Sequence, residues 1–120
     1  MATEGLRALI EGGTGCGLAL YADLSLPMAL VSEVAKGAET PHRETLQALA
    51  VEAKALLEAP GPAEEDAAAH DVLVWRDGRL ALFLRHPEAP AEALCCLLAP
   101  GADPEAARAA ARACLTELAA

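Results

Sequence analysis

Aromatic residues are scarce in this chain: Trp75, Tyr21 and Phe83 are the full set. Modules that grip single-stranded nucleic acid by stacking its bases need more rings than that. Positive charge is also short, with 9 Lys and Arg against 18 Asp and Glu and a net charge of −9. Such a surface repels nucleic-acid phosphates and anionic lipid alike, so neither nucleic acid nor membrane is expected as a partner. A protein bearing a basic patch would be attracted. No C-x-x-C spacing occurs among the four cysteines. Cys95 and Cys96 are neighbours on a predicted strand and point to opposite faces, while Cys16 and Cys114 stand apart. They read as core thiols. A metal site using His42, His70 or His86 would need tertiary clustering, so no metal or cofactor is expected.

Other signals are missing too. Glu4, Arg7 and Glu11 are mixed in sign and lead into no long apolar run, unlike a signal peptide. The apolar stretch 18–31 is interrupted by Asp23 and Pro27, which disfavours a membrane span. A cytoplasmic location with reduced thiols is expected. The run Gly12-Gly13-Thr14-Gly15-Cys16-Gly17 lacks the lysine and hydroxyl that complete a P-loop. It also follows a helix and precedes a strand, the reverse of an anion site at a helix start. Ser25 and Ser32 are the only serines, and neither sits in a nucleophile elbow. The cluster Glu64-Glu65-Asp66 reads as a solvated loop. No catalytic constellation emerges, and the chain is not expected to be an enzyme.

What is present is a clear order of elements in one domain, residues 1–120. Thr3 is placed to cap a first helix that Gly12-Gly13 ends. Residues 17–23 read as a strand, with Leu18 and Leu20 on one face and Ala19 and Tyr21 on the other. Residues 28–33 return as its hairpin partner. Thr40-Pro41 predicts the start of a helix that reaches Glu58, with Leu46, Leu49, Ala50, Ala53, Leu56 and Leu57 facing inward. A second hairpin turns at Asp77-Gly78, which sets Trp75 opposite Leu80 and Leu73 opposite Leu82. Both faces of that hairpin are apolar, so helices are expected over both. A third strand over 93–99 and a helix from Asp103-Pro104 to Leu118 complete the order.

The helix 41–58 carries a second apolar ridge. Ala48, Val51 and Ala55 recur at i, i+3 and i+7 opposite the leucines, flanked by Glu44, Gln47, Glu52 and Glu58. Small residues on an outer face let two helices approach closely. The strand 70–76 has no proline and only one charge at each end, so as an edge it invites pairing.

The element order, the apolar strand Ala93-Leu94-Cys95-Cys96-Leu97-Leu98-Ala99 and the break Pro100-Gly101-Ala102-Asp103-Pro104 together resemble the Roadblock dynein-light-chain family. The resemblance covers residues 17–118. The first hairpin departs from it, lacking the family's turn glycine. The resemblance implies an α/β, profilin-like α-β-α sandwich. Its five-stranded antiparallel sheet has helices on both faces, in the order α-β-β-α-β-β-β-α. It also implies a homodimer joined through the central helix and the strand after it, with Ala48, Val51, Ala55, Val72 and Val74 at the interface. The implied partner is a small Ras-like GTPase, met by a rim of Glu44, Gln47, Glu52 and Glu58. The function expected is a non-enzymatic regulator or scaffold. A small-molecule sensor with a ligand between sheet and helix is one alternative, and a structural subunit of a larger complex is another.

Overall fold

The computed structural model describes residues 2–39, 41–58, 71–76 and 78–118. The elements run α1 (Ala2–Glu11), β1 (Cys16–Asp23), β2 (Met28–Val34), α2 (Arg43–Glu58), β3 (Asp71–Arg76), β4 (Arg79–Arg85), β5 (Glu92–Leu98) and α3 (Pro104–Leu118). The five strands form one antiparallel sheet in the order β2-β1-β5-β4-β3. This is the predicted architecture, with α1 and α3 on one face and α2 on the other. No described helix is long and apolar enough to cross a membrane.

Alternation along the strands divides the core in two. Ala19 and Tyr21 of β1, Leu82 and Leu84 of β4, and Leu94, Cys96 and Leu98 of β5 pack under α1 and α3. Leu18, Leu20, Phe83, Ala81 and Cys95 pack under α2. Cys95 and Cys96 therefore face opposite ways, as adjacency on a strand demands. The 76–79 pairing leaves a two-residue turn in which Gly78 has φ +78°, a conformation glycine reaches without strain. Asp77 lies outside the described residues, as do His70 and the acidic stretch 63–69.

Two helix starts differ from the sequence reading. Thr3 lies inside α1, which already includes Ala2, so it cannot be the cap. The central helix begins at Arg43, and the His42 carbonyl accepts from the amides of Thr45 (3.0 Å) and Leu46 (3.2 Å). Pro41 precedes that turn and lines a cavity beside β2, while Thr40 lies outside the described residues. The third helix starts as expected: Asp103 Oδ1 accepts from the amide of Glu105 at 3.0 Å, with Pro104 at the first helical position.

Gly15, in the connection from α1 to β1, lies close against the loop before α3. Its φ is +90°, its carbonyl accepts from the amide of Ala99 at 2.7 Å, and a Cβ there would overlap the Cβ of Ala102. Gly15→Ala is expected to cost about 3 kcal/mol, from backbone strain and overpacking together. Gly13, at φ +76° with open space around it, is the control. Gly13→Ala should cost only about 1 kcal/mol in the same urea titration. Equal losses at the two sites would contradict the close approach.

Candidate functional site

The exposed side of α2 and the free edge at β3 leave apolar surface uncovered, as does the first hairpin at Leu26, Met28 and Leu30. The buried stripe of α2 is Leu49, Ala50, Ala53 and Leu57. Opposite it, Ala48, Val51 and Ala55 face solvent, and Val51 is 49% exposed. Leucine and alanine on one side and small apolar residues on the other follow from the sequence at 100° per residue.

The four predicted rim residues do not behave alike. Glu44 is exposed near the start of the ridge. Glu58 is exposed at its end and pairs with Lys54 at 2.8 Å. Gln47 is spent on the first hairpin: its Nε2 donates to the Pro27 carbonyl at 2.5 Å, and its Oε1 accepts from the Ala29 amide at 3.4 Å. That clamp stands where the hairpin lacks a turn glycine. Asp23 Oδ1 adds to it by accepting from the Ser25 amide (2.8 Å) and hydroxyl (2.6 Å). Glu52 is half-buried, and its charge adds to burial in raising the Cys95 thiol.

The β3 edge is also divided. Val72 and Val74 are half-buried and pack toward α2. Leu73 and Trp75 point to the other face and are 48% and 70% exposed. Covering of both faces was expected, and here it fails. The cause is the position of α3, which lies against β4 and β5 and leaves the edge strand beyond it uncovered. Edge position and alternation, taken together, were the available signal for these two residues. Asp71 ties the start of β3 to α3 by accepting from Arg112 and pairing with Arg108 at 3.5 Å.

Several other polar groups serve the fold. Tyr21 donates to Glu92 at 2.5 Å, and burial, reinforced by that carboxylate, holds its phenol protonated. His86 is buried and its Nδ1 accepts from the Glu88 amide at 3.1 Å. Arg85 donates to the carbonyls of Pro90 and Leu57, and Arg79 to that of Leu98. Among the described residues no group of three or more His, Cys, Asp and Glu is placed to hold a metal ion.

One sequence reading of the thiols needs correction. Cys16 does not stand alone: β1 and β5 slip register between Cys16 and Leu18, and this bulge turns Cys16 into the α1/α3 core beside Cys96. A hydrogen bond from Cys96 lowers the Cys16 pKa against the effect of burial. Cys95, in the other core, is pushed by burial up to about 12 from 9.0. A raised pKa means the folded state holds its proton longer than the unfolded one, so that stability is intact below pH 9 and lost as pH climbs toward 12. Melting temperature should fall over this window, and Cys95→Ala should flatten the fall. An unchanged slope would place the cause elsewhere.

Comparison with solved structures finds the same architecture in distant proteins. A Roadblock/LC7 domain from Streptomyces avermitilis superposes with a TM-score of 0.77 at 12% identity, over 98% of this chain and 93% of that one. The chain has the Roadblock/LC7 fold. The gliding protein MglB from Thermus thermophilus shares that fold with a TM-score of 0.77 at 18% identity, covering 98% and 85%. MglC from Myxococcus xanthus gives 0.67 at 12%, covering 98% and 97%. No family model and no curated protein matches the sequence. Within the Roadblock fold, the α2 ridge and the β3 edge are the central helix and following strand to which the family resemblance assigned the dimer.

Proposed function

We propose that the protein is a non-enzymatic, dimeric regulator that presents a protein-binding surface built around two copies of α2. The carrying observation is the coincidence of an apolar ridge centred on Val51 with an unpaired sheet edge at β3. Pairing β3 with its symmetry mate would extend the sheet across the dimer and saturate that edge. The same two-fold would bring the Ala48, Val51 and Ala55 ridges together, where small side chains allow close approach. Val72 and Val74 support the junction from the α2 side.

The partner proposed by family resemblance is a small Ras-like GTPase. Glu44 and Glu58, exposed at the two ends of the ridge, are suited to a basic patch on such a partner. Glu44→Lys should slow capture of a GTPase from the same organism at least tenfold at low salt, since rim charges act mainly on association rate. Surface plasmon resonance with GDP- and GTP-loaded protein measures this. Capture that is indifferent to the substitution and to salt would remove α2 from the docking surface. The chain supplies no assigned arginine for hydrolysis, so the role proposed is recognition.

A further inference from the structure

A cavity of about 300 Å³ opens between β2 and the start of α2. Its wall is apolar, with Leu20, Leu30, Val31 and Leu46, and its polar groups come from Ser32 and Arg43. Two observations separate this space from the other cavities described. The first is charge. Arg43 makes no hydrogen bond or ion pair among the described residues. Every other arginine with a described side chain does. No carboxylate lines the cavity. The groove between α1 and α3 instead includes Glu117, and the small cavity beside β3 includes Asp71 and Glu105 around Arg108. The second is Leu30. The β1–β2 pairing slips between Tyr21 and Ala22, which makes Leu30 the extra residue of a bulge. It lines the cavity yet remains 46% exposed.

An unpaired guanidinium beside an apolar wall, in a chain of net charge −9, selects for a ligand that is apolar at one end and anionic at the other. A guanidinium fork matches a carboxylate in two parallel hydrogen bonds. The volume lies at the small end of the range for ligand pockets. We propose that this cavity binds a small amphiphile, an unbranched apolar tail ending in a carboxylate, with Arg43 holding the carboxylate and Leu30 closing over the tail. A medium-chain fatty acid has this chemistry. Val51 is not among the residues lining the cavity, so the proposed site is separate from the proposed dimer ridge.

Calorimetric titration with octanoate, below its micelle concentration, tests the assignment, with octanol as the uncharged control. Octanoate should bind saturably and at least tenfold more tightly than octanol, the factor expected of a charge-assisted bond. Arg43→Ala should erase that preference without moving the melting temperature, because the side chain is exposed and unpaired. Val51→Glu should bind octanoate like the wild type, whether or not the protein dimerises. Absence of saturable octanoate binding, equal affinity for octanol, or a preference that survives Arg43→Ala would each overturn the proposal.

Discussion

Val51→Glu is expected to yield a folded monomer, and the wild type the proposed dimer. In the single chain Val51 is 49% exposed, so glutamate meets water and has at least valine's helix propensity. In a two-fold dimer built on the α2 ridge, the same position faces its own copy. Two carboxylates would then be desolvated against each other, in a helix that already carries Glu44, Glu52 and Glu58. Burying like charges without a partner costs several kcal/mol. The dissociation constant should rise by about a thousandfold or more, which is ~4 kcal/mol. Light scattering across a concentration series measures this directly, and circular dichroism shows whether the monomer keeps its fold. A wild-type protein that is monomeric at high concentration would remove the proposed dimer. An unaltered dimer in the variant would move its interface off α2.

Phe83→Ala is expected to be the most damaging single core truncation. Phe83 is 1% exposed and is the chain's only phenylalanine, at the centre of the core under α2. Its cluster contains Ala22, Ala50, Ala53, Ala81 and Ala93. Those short side chains cannot lean into a void, and only the leucines of the cluster could fill part of the space left by the ring. The cost of a truncation grows with the volume that stays empty, and about 4 kcal/mol is expected. A single domain of this size has about 5–15 kcal/mol in hand, so a loss of this size removes roughly a quarter of it or more. Urea denaturation at 25 °C provides the measurement. Phe83→Leu, which restores most of the volume, should lose about 1 kcal/mol. A loss below about 1.5 kcal/mol for Phe83→Ala would mean that α2 can settle onto the sheet.

These predictions use different parts of what could be read before folding. The Val51 ridge is a property of helical periodicity, and it emerged from the sequence with the correct face outward. The 77–78 turn set the register of the second hairpin because a two-residue loop admits one pairing, and Trp75 does face Leu80. Asp103 and Pro104 marked the start of α3 because capping is a contact within one turn. The same logic misplaced two starts. At Thr3 and Thr40 the residue type was favourable, but α1 had already begun and Pro41 was committed to the β2 side.

Local rules determined this protein's elements, their order, the inward and outward faces of β1, β4 and α2, and thereby the fold. Interactions of that kind span a few residues, and the chain carries them wherever it goes. Tertiary structure decided the rest. The offset of α3 from the edge left Leu73 and Trp75 uncovered. One bulge brought Cys16 to Cys96, and another put Leu30 at the mouth of a cavity with Arg43. Gln47, eighteen residues from the Ala29 amide, became the clamp of a turn. Each of these depends on where one element lies over another, and periodicity holds no record of that distance.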